Sequence, residues 1–404
     1  MRDTNTASGS LATNWLIPVG ALLAATFAIV TSEMVIAGLL PTLATDLDVT
    51  IPVAGQLITG YAIGVGIAGP ILALLTSRLS RRALLLGIMV LYVAGNILCA
   101  LAQNYWGLMG ARLVLAACHG MHFGVAMVVA TRVAPEGRQA TAISLVVAGV
   151  SAATILGVPI GTAIGNAYGW RASFSGLAIV GVLALAILAV FIPNRSGEAT
   201  QASNMKAELA AAIRPICLLC YAIFGTLLVA YFIMLAYIVP FLTDVAGVPL
   251  NIVPWILLLM GLASFAGTLI GGQLGDRNPG ATMTGALALM AIFLLLLWQL
   301  AFSTWAAIAL VFLAWLAAFS IPASLQSRLI AEARDAPNFA STLMNTASQI
   351  GIAVGAALGG VVIAKGWSYG QLPLVASAFS GLALVLTVFL FAHDRRRAVL
   401  PSTS

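Results

Sequence analysis

Twelve apolar runs, each long enough to cross a lipid bilayer, constrain this chain more than any other feature. They lie at about 15–41, 52–75, 83–103, 106–131, 139–166, 170–193, 214–243, 250–273, 281–301, 303–330, 338–364 and 369–392. A spanning helix needs about 20 predominantly apolar residues. Outer-membrane strands would instead alternate polar and apolar residues over about ten. Charge content closes off the other classes. Only 7% of the 404 residues are Asp, Glu, Lys or Arg, against about 25% in a soluble domain. A soluble fold would have no surface to offer water, and the chain is far too apolar to remain disordered. The first run is longer than the apolar core of a signal peptide and is expected to stay as the first helix. The expected fold class is an all-α membrane protein of twelve transmembrane helices.

Basic residues orient these helices, because cytoplasmic loops carry the excess of Lys and Arg. Fifteen of the eighteen fall on the side shared by the two termini. Only Arg171 and Lys365 fall on the other side, and Arg112 lies inside a helix. Both termini are therefore expected in the cytoplasm of a bacterial cell, with the chain multi-pass in the inner membrane. The same distribution explains the net charge of +6. Basic residues scattered through short loops do not make a nucleic-acid-binding face. The longest polar break, residues 194–213, divides the chain. The expected parts are a cytoplasmic tail (1–14), a six-helix bundle (15–193), a cytoplasmic linker (194–213), a second six-helix bundle (214–392) and a second tail (393–404).

The four cysteines, Cys99, Cys118, Cys217 and Cys220, all lie in or beside apolar runs. The Cys217-x-x-Cys220 spacing admits redox or metal chemistry, but it has no second pair, and packing is the preferred reading. No metal and no cofactor are expected.

The two halves echo each other. Ala73 to Arg82 follows the second run, and Gly272-Gln-Leu-Gly275-Asp276-Arg277 follows the eighth. The fifth run carries Gly157, Gly161 and Gly165, and the eleventh carries Gly351, Gly355 and Gly359 at the same spacing. They end at Gly169-Trp170 and Gly366-Trp367. Tandem six-helix halves are the parallel-repeat pattern of major facilitator transporters.

Several segments carry a more specific resemblance. They are Glu33-Met-Val-Ile-Ala-Gly-Leu-Leu-Pro41, Ala54-Gly-Gln-Leu-Ile-Thr-Gly-Tyr-Ala62, and Arg112 with His119-Gly120. Further along come Gly157-Val-Pro-Ile-Gly161, Gly169-Trp-Arg171, Tyr237-Ile-Val-Pro-Phe-Leu242, Gly272 to Arg277, and Ala340-Ser-Thr-Leu-Met-Asn345. From Asn14 to His393 the chain resembles the major facilitator superfamily. Within it, the chain is most similar to the twelve-helix drug:proton antiporter family and its sugar-efflux and chloramphenicol-resistance branch. The resemblance implies two pseudo-symmetric bundles around a central cavity, alternating access by rocking of the halves, and export of a small molecule driven by the inward proton gradient. A monomer is expected to function, with protons and the lipid bilayer as its other partners. The gating residues implied are Arg78, Arg81 and Arg82 after the second helix, Gly157, Pro159 and Gly161 on the fifth, and Gly272, Asp276 and Arg277 after the eighth. The chain also departs from the family pattern. Ala73, Ser77 and Ser80 replace a Gly, an Asp and a Gly, and Val158 separates Gly157 from Pro159.

Charge inside the membrane costs several kcal/mol unless it is paired or hydrated. Eleven of the twelve acids fall in loops or at helix ends, which leaves Glu33 well inside a helix. Arg112 is its basic counterpart. Glu33 lies eight residues before Pro41 and Arg112 six after Trp106, so each sits roughly 10 Å below the outer surface at 1.5 Å per residue. The resemblance places their helices side by side along the cavity, so Glu33 and Arg112 are expected partners. They form either a protonation switch or a fixed ion pair. His119, two turns from Arg112 on the same face, extends the polar stripe as a proton or substrate group, or as a packed neutral imidazole. His122 reads first as packing. Met34, Tyr61, His119, His122, Phe123, Tyr231, Tyr237, Asn345 and Gln349 are the candidate substrate contacts, since apolar walls with a few polar groups describe a small-molecule pocket. The alternatives are an uncoupled facilitator, a proton-coupled importer and an intramembrane enzyme. No Ser or Cys has a clear base partner, so the chain is not expected to be an enzyme.

Overall fold

Each apolar run satisfies its backbone by winding into a helix, which is the solution lipid demands. The computed structural model describes residues 15–76, 79–192 and 205–399. Among the described residues twelve helices are long and apolar enough to span a membrane. They are Leu16–Asp46 (α1), Ile51–Gly69 (α2), Arg81–Leu101 (α3), Tyr105–Val133 (α4), Thr141–Tyr168 (α5), Trp170–Phe191 (α6), Pro215–Leu235 (α7), Val253–Arg277 (α8), Pro279–Leu300 (α9), Thr304–Glu332 (α10), Phe339–Ala364 (α11) and Tyr369–Ala392 (α12). No strand occurs among the described residues.

The chain divides into two units, Met1–Val49 with Ile63–Thr200, and Thr50–Ala62 with Gln201–Ser404. The first part of α2 thus belongs to the second unit. In the first unit α1 packs on α5 and α6, and α3 packs on α4 and α6. In the second, α7 packs on α11 and α12, and α9 packs on α10 and α12. Adding six to each helix number converts one set of partners into the other, so the tandem repeat holds at the level of packing.

Glycines set the closest approaches. On α5, a Cβ at Gly157 would meet Thr31, one at Gly161 would meet Val35, and one at Gly165 would meet Leu39, all on α1. On α11, Gly351 faces the Gly225 carbonyl, Gly355 the Val229 carbonyl, and Gly359 Tyr237 on the segment after α7. Small residues let these backbones approach, which is how helices gain contact in lipid. The glycine stripe of α5 is therefore turned onto α1 within its own unit.

Five elements differ from the sequence expectation, four of them at proline. Helix α1 runs on through Pro41 to Asp46, so Glu33 lies near its middle and not near one end. Regular helix stops at Leu235 in α7. A break at Tyr237 and a wide turn over Phe241–Val245 follow, because Pro240 has no N–H and its ring opposes the carbonyl four residues back. The tenth run breaks between Phe319 and Pro322 for the same reason. Five residues before Val158, helix α5 opens into a π turn over Ala153–Gly157, which accommodates Pro159. The expected linker also carries a short helix, Met205–Ala212.

Candidate functional site

The buried polar groups of the first unit converge where α1, α3 and α4 meet. Arg112 on α4 is 0% exposed. Its Nη1 donates to the Ser32 carbonyl oxygen at 2.5 Å and its Nη2 to the Glu33 carbonyl oxygen at 3.2 Å. These carbonyls belong to the middle of α1, where an additional donor is unusual, because the helix supplies its own. The planar guanidinium fork reaches two successive carbonyls at once. The positive charge thereby sits against the backbone of the residue that bears the membrane-embedded acid.

The Glu33 carboxylate turns to His119. Its Oε2 lies 3.5 Å from His119 Nδ1, and both side chains are 6% exposed. Among the described residues the second carboxylate oxygen, Oε1, is buried without a hydrogen-bond partner. A buried unsatisfied carboxylate oxygen is costly. Glu33, His119 and Arg112 thus form one compact group. Arg112 reaches Glu33 through the main chain, and His119 reaches it through the carboxylate.

Two further contacts hold this stretch of α1 from α3. Ser32 Oγ donates to Asn96 Oδ1 at 3.3 Å, and Asn96 Nδ2 donates to the Tyr92 carbonyl at 2.9 Å. Tyr92 Oη donates to the Ala28 carbonyl at 2.7 Å. The sequence reading passed over Ser32, Tyr92 and Asn96. Asn96 did carry a signal, as the single amide inside the apolar run of α3. One turn of α4 beyond His119, His122 Nε2 meets Thr26 Oγ1 at 2.9 Å. Phe123 lies beside both imidazoles, with ring centroids 5.5 Å from His119 and 5.7 Å from His122.

The other candidate residues lie apart from this group. Met34 is half-buried beside Glu33. In the second unit Tyr231 Oη accepts from Trp315 Nε1 at 3.1 Å and packs against Phe319. Trp315 is a partner the sequence reading missed. Tyr61 is buried, and Tyr237 donates to the Ala356 carbonyl at 3.0 Å among the glycines of α11. Asn345 and Gln349 separate in environment. Asn345 is exposed, while Gln349 is buried with Oε1 unpartnered among the described residues. Arg78 lies outside the described residues. Arg81 is half-buried, and Arg82 donates to the Ala189 carbonyl at the end of α6 at 2.5 Å. Asp276 and Arg277 are exposed. The close approach on α8 is at Gly271 and Gly275, which face Ser320 and Ser324, and not at Gly272. A cavity of about 440 Å³ between α3 and α6 holds none of the candidates. Apart from Ser175 its walls are apolar, among them Val93, Ile97, Ile179 and Val182, and it reads as a surface for lipid tails.

A twelve-helix membrane protein with tandem halves and a buried ionisable group is of the secondary-transporter class. Residues 22–355 match the sequence profile of the Major Facilitator Superfamily, and the chain belongs to that family of transporters. It is a transporter and not an enzyme. It is 36% identical over 390 residues to the inner membrane transport protein YdhP of Escherichia coli K12, covering 96% of this chain and 99% of that one. It is 35% identical over 346 residues to YtbD, an MFS-type transporter of Bacillus subtilis 168, covering 85% of this chain and 87% of that one. A solved bacterial homologue of the human lysosomal transporter Spinster, in an inward-facing and unoccupied conformation, shares the fold. Its TM-score is 0.67 at 15% identity, over 95% of both chains.

Proposed function

We propose that this chain exports a small molecule across the bacterial inner membrane in exchange for protons, by alternating access, with both termini in the cytoplasm. One observation carries the coupling: Glu33, a carboxylate buried in the first unit, is shared between His119 and the Arg112-clamped backbone. Intramembrane ionisable groups are retained at a cost of several kcal/mol, and transport is their usual use. In this reading an external proton loads Glu33 and permits the return to the inward-facing state. Release of that proton inside permits uptake of cargo. The skewed Lys and Arg distribution supports the orientation, and the inner-membrane relative YdhP supports the location. Sugars, chloramphenicol-like drugs and purine-type metabolites are the cargo classes to screen by ligand binding on purified protein. With a cargo in hand, flux in proteoliposomes is measured with and without a pH gradient. Glu33→Gln is expected to abolish uphill export and to spare downhill flux. Uphill export by Glu33→Gln would overturn the reading.

A further inference from the structure

The proton-linked reading leaves the buried imidazole of His122 in the first unit without a task. His122 is 0% exposed. The Thr26 hydroxyl donates to the Leu22 carbonyl at 2.9 Å, which uses its single hydrogen. Its oxygen is therefore the acceptor for His122, 2.9 Å away, and Nε2 carries the imidazole's proton. Nδ1 is then a bare lone pair, buried and without a hydrogen-bond partner among the described residues. Such an atom is expensive to leave unsatisfied, and its lone pair is open to a transient proton donor. Three residues apart on α4, His119 and His122 are neighbours, with about 5–6 Å between their Cβ atoms. Thr26 lies seven residues before Glu33, about 10 Å nearer the start of α1. The buried ionisable groups on the helices around His122 include Glu33 on α1, Tyr92 and Cys99 on α3, and Arg112, Cys118 and His119 on α4, and His119 is the charged neighbour that bears on it. The runs 63–75 and 139–166, on α2 and α5, contain none.

Resting on the reading that Glu33 carries the coupled proton, we propose that His122 Nδ1 is the relay through which Glu33 exchanges that proton with the side of the membrane where α1 begins. A hydronium ion gives its proton to Nδ1 and leaves as water. The imidazolium passes a proton, through one bridging water, to His119. His119 releases its Nδ1 proton to Glu33 Oε2. The net change is one proton moved from water to Glu33, with both imidazoles neutral, and release of the Glu33 proton to the cytoplasmic side runs the same steps in reverse. Thr26 is a positioning residue, because it holds the tautomer that leaves Nδ1 open.

The test is proton uptake by the purified full chain after an acid jump, followed by stopped flow with the pH dye pyranine. The difference between wild type and Glu33→Gln isolates the proton of Glu33. His122→Gln is expected to retain that proton at equilibrium and to slow its uptake by about a hundredfold, the scale of a lost acid–base group. Thr26→Val is expected to slow uptake while Thr26→Ser keeps the wild-type rate. That pair carries the test should His122→Gln fail to fold. Wild-type rates in His122→Gln, or in Thr26→Val where only the Thr26 pair folds, overturn the relay and leave Glu33 as the coupling group. Equal proton uptake by wild type and Glu33→Gln overturns the coupling reading itself, and the relay with it.

Discussion

Arg112 binds the main chain of the residue whose side chain it was expected to pair with. Its guanidinium nitrogens lie 2.5 Å from the Ser32 carbonyl and 3.2 Å from the Glu33 carbonyl, while the Glu33 carboxylate lies 3.5 Å from His119. The two helices are thus tied independently of the protonation of Glu33. A clamp on carbonyls does not itself draw on the charge of the carboxyl.

Arg112→Lys is expected to behave like a deletion. A single ammonium on a flexible stem cannot span two carbonyls, and charged hydrogen bonds of this kind contribute about 1.5–3 kcal/mol each. The midpoint of thermal unfolding in detergent should fall nearly as far for Arg112→Lys as for Arg112→Gln. A lysine variant with wild-type stability would show that charge alone suffices.

His119→Gln should act on the coupled step more than on the fold. The imidazole is the neighbour of Glu33 Oε2, and loss of a proton-transfer partner costs about a hundredfold or more in rate. Uphill flux in proteoliposomes should collapse while the unfolding midpoint changes little. A similar loss of uphill and downhill flux would point to a binding role instead.

Gly355→Ala tests the helix seam. Its Cβ would stand 2.6 Å from the Val229 carbonyl oxygen, backbone that cannot rotate away. Overpacking of this sort costs about 1–3 kcal/mol. Gly110→Ala on α4 is the control, since nothing lies within 4 Å of its Cβ. Removing that helical glycine should stabilise by about 0.5–1 kcal/mol. Opposite shifts in unfolding midpoint are expected.

The Asp46–Arg171 pair joins the end of α1 to the start of α6 at 2.5 Å, with the two side chains 46% and 40% exposed. Exposure of that order screens the attraction, so Asp46→Asn should cost less than about 1 kcal/mol. Its effect on the unfolding midpoint should vanish in high salt. A loss that persists in salt would place the contribution in the Trp170 hydrogen bond to Asp46.

Much of the fold is legible in the sequence alone, because hydropathy and charge are local properties. Runs longer than the bilayer dictate helices, and the matched glycine triplets at Gly157 and Gly351 dictate paired seams. The helix breaks at Pro240 and Pro322 were written in the chain too, but the long apolar runs around them hid the signal. The site was legible only as a set of isolated residues. Glu33, Arg112 and His119 stood out as ionisable groups in apolar runs. Ser32 and Thr26 did not, since a hydroxyl is inexpensive enough to be ordinary.

The sequence by itself determined how many times this protein crosses the membrane, that its halves repeat, and which side chains must escape lipid. Tertiary structure alone decided which atoms those side chains meet. The rotation of α1 against α3 and α4 turned Arg112 onto two carbonyls, Glu33 onto His119, and Thr26 onto His122. Helical periodicity places a residue on a face, but only packing between helices selects the partner across the seam, and a hydrogen bond responds to tenths of an ångström that no spacing in the chain can specify.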